Sequence, residues 1–392
     1  MKSVLREGGR AARVAFVALV AGAVLSSMAA QAAQTASRIE VKVKNNAPIM
    51  RSGESVRMDW SAVTAKLNVD AKNVVVTDSK GAVIPSQVLF EGKDTPQGLL
   101  FQADVAANGS AIYYIAAGEQ QEFPARAYGR YVPERIDDYA WENDLIAYRI
   151  YGPRLTDPLT PGIDIWVKST NNLIINKWYK KGDGKGGYHH NDGEGMDCFK
   201  VGNSLGCGAA SPLIDGKLVL GGNYVTWQTL DNGPIRTSFK TTYGPFDAGG
   251  KQVSMQRVIS LDAGDRFNTV RTSFSGDFKK MTVAVGLVMH TVEHEGGGNS
   301  SITIREQASD SKDPAKDGDI YMGAIWPSAQ KQHADNHLLL TREVASGQEF
   351  TYRAGAGWSQ GGILNDRMWD EMVRQEEIRM QNPLKVSLKA IK

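Results

Sequence analysis

The chain has 392 residues, 42% of them apolar, with 45 Lys or Arg against 43 Asp or Glu. Such a near-balanced charge, with no basic stripe, excludes a nucleic-acid binder. The length allows one large β domain or two smaller ones.

Residues 1–32 read as a cleaved export signal. Lys2, Arg6, Arg10 and Arg13 give a basic start, Val14 to Leu25 is an apolar run, and Ala30-Gln31-Ala32 offers a peptidase site. The run is shorter than the roughly 20 apolar residues a spanning helix needs, so no membrane span is expected after cleavage. Losing those four basic residues and Glu7 turns the formal charge from +2 to −1. The expected location is periplasmic or secreted.

Residues 38–118 are dense in short β runs. Arg38 to Val43 alternates, Val74 to Thr77 runs into Asp78-Ser79-Lys80-Gly81, and Leu99 to Val105 with Ala111 to Ala116 reads as a hairpin around Asn108-Gly109. This predicts an N-terminal β-sandwich module. The stretch 119–138, rich in Arg, Tyr, Pro and Glu and without alternation, predicts a linker. Residues 139–392 then predict a large antiparallel β domain. Its strands are Leu145 to Tyr151, Gly162 to Lys168, Tyr224 to Leu230, Ile235 to Tyr243, Val253 to Leu261, Phe267 to Ser275, Thr282 to His294 and Glu349 to Ala354. One helix is expected near the end: Asn365 is its N-cap, Leu364, Met368 and Met372 fall four apart, Trp369 and Val373 widen that face, and Pro383 stops it. The fold class is all-β, an antiparallel β-sandwich with a C-terminal helix.

Three segments carry chemistry. Trp141-Glu142-Asn143-Asp144, followed by Arg149, sets an indole and an amide beside two acids and a cation, groups that recognise sugars; a buried Trp with salt-bridged acids is the plainer alternative. The stretch 182–198 is a Gly-rich loop holding Tyr188, His189, His190, Glu194 and Asp197. Either histidine could act as a general base with Glu194 or Asp197 beside it. The ligand types suit a divalent metal, but their spacing matches no metal motif, and no cofactor is expected. On Thr282 to His294 the alternation puts Ala284, Gly286, Val288, His290 and His294 on one face, which predicts room for a ligand beside His290. Cys198 and Cys207, close in sequence and bound for an oxidising compartment, predict a disulfide, with a metal pair or two free thiols as alternatives. No nucleophile-elbow, phosphate-loop or dinucleotide motif occurs.

The runs YAWENDLIAYRIYGP (from Tyr139), GIDIWVKSTNNLIINKW (from Gly162), YHHNDGEGMDC (from Tyr188) and LDNGPIR (from Leu230) resemble the bacterial family known as domain of unknown function 4861. The likeness extends over nearly the whole chain after the signal. It implies an exported protein that accompanies enzymes degrading uronic-acid polysaccharides such as pectin. The strand pattern also resembles the supersandwich of galactose mutarotases and several polysaccharide lyases, a likeness of fold that transfers no residues.

The leading expectation is therefore an enzyme acting on uronate-containing oligosaccharides by elimination or dehydration beside the carboxylate. His189, His190, His290 and Tyr188 are the candidate acids and bases, Glu194 is the carboxylate beside the loop histidines, and Arg149 the carboxylate holder. Two alternatives stand beside it. One is a glycoside hydrolase using Glu142, Asp144 and Glu194. The other is a non-catalytic carbohydrate-binding protein with Trp141, Trp178 and Trp227 as platforms.

Overall fold

A computed structural model describes residues 37–156 and 159–392; the expected export signal lies outside the described residues. Every ladder between its strands is antiparallel. Tight turns at short intervals favour this, since successive strands can pair without a crossover.

The N-terminal module is a sandwich of a four-stranded sheet, in the order Lys385–Ile391, Arg38–Lys44, Ser110–Ala117, Val74–Asp78, and a three-stranded sheet, Arg51–Asp59, Gly98–Val105, Ser86–Leu89. Alternation along Arg38–Lys44 turns Ile39, Val41 and Val43 inward onto Val56, Met58, Val76, Phe101 and Ile115. Its outermost strand departs from the expected division, because Lys385–Ile391 comes from the chain's far end. It covers the free edge of Arg38–Lys44, giving seven residues register partners. The stretch expected as a linker also forms a strand, Ala127–Val132, because its backbone groups pair with Asp138–Asn143 whatever the side-chain pattern.

The large domain packs a five-stranded sheet, centred on Cys207–Ile214 and Lys280–Val288, against an eight-stranded one. The latter runs Thr226–Asp231, Arg236–Asp247, Gln252–Asp262, Phe267–Gly276, Phe350–Trp358, Asp319–Ile325, Ser301–Gln307, Val292–Gly296. A further five-stranded sheet runs Gly195–Asp197, Asp164–Lys168, Ile146–Ile150, Asp138–Asn143, Ala127–Val132. The helix Asp366–Gln381 forms as expected, with the Asn365 side chain accepting from the Met368 amide at 3.0 Å. Its buried stripe is Trp369, Val373, Glu376 and Glu377, whereas Leu364 is 79% exposed and Met368 37%. Gly323 sets this rotation: a Cβ there would meet Val373 Cγ2 at 2.7 Å. Among the described residues no helix is long and apolar enough to cross a membrane.

Two sequence expectations are corrected. Cys198 and Cys207 are both free and buried. Gly195–Asp197 pairs with Asp164–Lys168 while Cys207–Ile214 pairs with Lys280–Val288, so the segment between the thiols crosses from one sheet to another, and Cys207 Sγ donates to the Gly355 carbonyl at 3.4 Å. Thr282 to His294 is not one strand either. Lys280–Val288 and Val292–Gly296 belong to different sheets, which parts His290 from His294. The room expected beside His290 is filled, for a Cβ on Gly286 would lie 2.4 Å from Leu339 Cδ2.

Candidate functional site

The sheet containing Asp138–Asn143 has two faces of opposite character. Alternation sends Tyr139, Trp141, Tyr148, Ile165 and Val167 into the main core, and Asp138, Ala140, Glu142, Ala147, Arg149, Asp164, Trp166 and Lys168 to the other side. That second face is covered by the helix Ile175–Lys181 and by the Gly-rich loop. The loop folds tightly because Gly187 has no side chain; a Cβ there would sit 2.1 Å from the Gly182 carbonyl oxygen. Ion pairs Lys177–Glu194 at 2.6 Å and Lys181–Asp192 at 2.5 Å tie the loop to the helix. The same turn drives Tyr188 inward, its ring 4.8 Å from that of Trp166.

Arg149 is the centre of the buried charge. It stands opposite Asp164 in the ladder, and its Nη2 donates to Asp164 Oδ2 at 2.5 Å, Asp197 Oδ2 at 2.8 Å and Tyr151 Oη at 2.9 Å. Nη1 reaches Tyr188 Oη at 3.3 Å, which also accepts from Arg135 Nε at 3.2 Å. Burial opposes the guanidinium charge, but Tyr151, Asp164 and Asp197 hold its pKa well above the usual value. Burial pushes the Asp197 carboxyl well up, helped by Asp164 and resisted by Arg149. Burial likewise raises Asp138 to about 6 against the pull of Arg149 and Arg135. The phenols of Tyr151 and Tyr188 are raised by burial against Arg149, joined by Arg135 at Tyr188, so both keep their protons near neutrality.

This cluster opens on a cleft of about 320 Å³ walled by Arg135, Arg149, Tyr151, His189, Asp197, Phe199, Lys200 and Asp310, among others. His189 Nδ1 lies 3.0 Å from the Asp197 carbonyl oxygen. A carbonyl only accepts, so Nδ1 carries the hydrogen and the neutral ring keeps its lone pair on Nε2. Asp197 Oδ2 and Asp310 Oδ2 flank Nδ1 at 3.7 and 4.0 Å. An exposed imidazole with a free lone pair, protonated phenols and clustered cations can abstract and return a proton.

The other sequence candidates are dispersed. His190 is exposed at the rim, 3.6 Å from Asp192, and Glu194 is held by Lys177. His290 packs edge-on to Phe199, 5.9 Å between ring centres, but does not itself line the cleft, and its Nδ1 meets the buried Glu306 at 2.8 Å. Trp141 is fully buried on the core face, with Nε1 on Asn268 Oδ1 at 2.7 Å; its indole therefore presents no surface to a sugar. Glu142 accepts from Lys168 Nζ at 2.9 Å and from the amides of Ile174 and Ile175 at 2.8 Å, capping the helix Ile175–Lys181. Burial raises Glu142 and lowers Lys168 although each attracts the other. Asn143 bonds the carbonyls of Asp262 and Asp265, and Asp144 pairs with Arg126 at 2.5 Å. Trp178 is buried against Trp166, while Trp227 is 41% exposed and stacks on Tyr131 at 4.5 Å, outside this cleft. The glutamate and aspartate candidates for hydrolysis thus do not face one another. Sequence reasoning missed Arg135 and Asp310 as wall residues and Asp164 as the buried partner of Arg149, although Asp164 shares an inward-facing pattern with Arg149.

A second cleft, about 180 Å³, lies between the N-terminal module and the eight-stranded sheet. Its charges are already matched: Arg236 with Asp262 at 2.6 Å, and Arg353 with Asp265 and Glu376. No histidine lines it. Among the described residues no group of three or more His, Cys, Asp or Glu is placed to hold a metal ion.

Comparison with known proteins agrees with the sequence resemblance. The chain is 28% identical over 395 residues to Uncharacterized protein P7 of Formosa agariphila, covering 94% of this chain and 98% of that one. Among solved structures it is similar to a protein in the glycosyl hydrolase family 38 and to an alpha-mannosidase, both from Enterococcus faecalis, each with a TM-score of 0.52 and 10% identity over 91% of this chain. The chain spans about half the length of each, 48% and 46%, and at that identity the likeness concerns the fold, consistent with a galactose mutarotase-like sandwich. The family model for the domain of unknown function DUF4861 matches residues 43–386, from the first strand of the N-terminal module to the strand that returns to it, and the chain belongs to that family.

Proposed function

We propose that this protein is an exported carbohydrate-active enzyme that acts on uronate-containing oligosaccharides by elimination, in the cleft at His189. The observation that carries the reading is the His189 ring, held at Nδ1 by the Asp197 carbonyl in the wall of a cleft that Arg135, Arg149 and Lys200 also line. Nε2 takes the proton from the carbon beside the substrate carboxylate. That C–H electron pair forms the new double bond, and the bond to the neighbouring leaving oxygen breaks. Tyr151 lines the wall, keeps its proton on a bond to Asp164 Oδ2 at 2.9 Å, and passes that proton to the leaving oxygen. Arg135 and Lys200 attract the acidic sugar and offset the charge that develops on its carboxylate. The carbohydrate class also accords with the solved proteins of similar fold, a glycosyl hydrolase and an alpha-mannosidase.

Mature protein incubated with a panel of uronate oligosaccharides, followed by mass spectrometry, tests this. Elimination yields an unsaturated product with no water added. His189→Ala should lose that activity at nearly unchanged Tm. Products carrying an added water would point to hydrolysis instead, and an active His189→Ala would remove the base from the mechanism.

A further inference from the structure

The strand Gln252–Asp262 turns Val253, Met255, Ile259 and Leu261 into the sandwich interior, and Arg257 turns inward with them. This guanidinium is 1% exposed, and among the described residues no carboxylate pairs with it. Its Nε and Nη1 have no hydrogen-bond partner, Nη2 reaches only Met255 Sδ at 3.7 Å, and the Tyr243 ring lies 5.1 Å from Cζ. A guanidinium keeps its charge in a protein interior, where an unpaired charge is strongly disfavoured.

The surroundings repeat the deficit. Thr241 and Thr272 stand directly opposite Arg257 on the two adjoining strands, both buried, and the Thr241 hydroxyl lacks a partner. The guanidinium and the Thr241 hydroxyl thus leave donors on the inner face of the sheet with nothing to receive their hydrogens, a pattern that calls for a missing acceptor.

Arg257, Tyr243, Met255 and Ser211 line a void of about 10 Å³. That is room for one particle the size of a water and excludes phosphate, sulfate or a carboxylate. Water brings no charge to offset the guanidinium. We propose that this void binds a monatomic anion, chloride or another halide, on the Arg257 guanidinium. The bound ion supplies the negative charge that this interior lacks and ties the sheet to the loops across it.

The experiment is thermal unfolding of the mature full chain at constant ionic strength, in sodium chloride or bromide against sodium gluconate, whose anion is too large to enter. A saturable rise in Tm of a few degrees with either halide is expected, as for any ligand bound only by the native state. Arg257→Met should abolish the halide increment. Should Arg257→Met fail to fold, bromide-soaked crystals of the wild type decide, with an anomalous peak expected within hydrogen-bonding distance of the guanidinium. Equal Tm in chloride and gluconate, a halide response that survives in Arg257→Met, or anomalous peaks only elsewhere would overturn the proposal and leave the void to water.

Discussion

Asp197 supports His189 and Arg149 at once: its carbonyl oxygen lies 3.0 Å from His189 Nδ1, and its Oδ2 accepts from Arg149 Nη2 at 2.8 Å. The candidate base and the buried cation therefore share one residue, and a change at either is felt by the other.

Arg149→Met should leave Asp164 and Asp197 buried without their common donor. A loss of about 3–5 kcal/mol in unfolding free energy is expected, because removing one member of a buried ion cluster strands the others. Denaturant titration measures it. A loss below about 1 kcal/mol, the range of exposed pairs, would show that the cluster is not held by charge.

Asp138 should make stability fall as pH rises from about 4 to about 6. Its carboxyl is raised to about 6 by burial, with Arg149 and Arg135 pulling the other way. The native state then holds more protons than the unfolded chain between the ordinary carboxylate value and that one, so the slope of stability against pH is negative there. In Asp138→Asn this contribution is absent. The variant should gain about 2–3 kcal/mol relative to wild type between pH 4 and pH 7, read from unfolding free energies at each pH. A constant difference across that range would contradict the raised carboxyl.

His290→Ala should cost about 1–3 kcal/mol of stability, since the fully buried Glu306 loses its 2.8 Å partner at the ring nitrogen. Because His290 does not line the cleft, turnover by the surviving folded protein should change less than in His189→Ala. Loss of turnover with an unaltered melting curve would instead put His290 in the chemistry.

Truncation after Pro383 should loosen the N-terminal module first. It removes Leu384 and Leu388 from the margin of the module's core and bares the edge of Arg38–Lys44. Hydrogen exchange should accelerate at the Arg38–Lys44 amides that lose the ladder, well before the eight-stranded sheet is affected. Unchanged protection of that strand would mean the returning strand adds nothing to its stability.

Alternation and turn chemistry made much of the architecture legible: the strands around Arg38 to Val43, Ile235 to Tyr243 and Val253 to Leu261, the antiparallel arrangement, and the Asn365 cap all depend on neighbours within a few residues. The grouping of Tyr188, His189 and Asp197 was legible for the same reason, since one short loop carries all three. What the tertiary structure alone decided is where charge and sulfur end up. Glu142 and Arg149 read as sugar-recognising groups, whereas Lys168, Asp164 and Asp197 arrive from other strands to make their burial tolerable. Cys198 and Cys207 are near in sequence, yet different ladders claim the strands beside them. Lys385–Ile391 finds its partner at the opposite end of the chain. Local pattern determines which side chains share a face, but which distant face meets it is set by long-range pairing, and that is what buried Trp141, placed His290 against Phe199, and left Arg257 without a carboxylate.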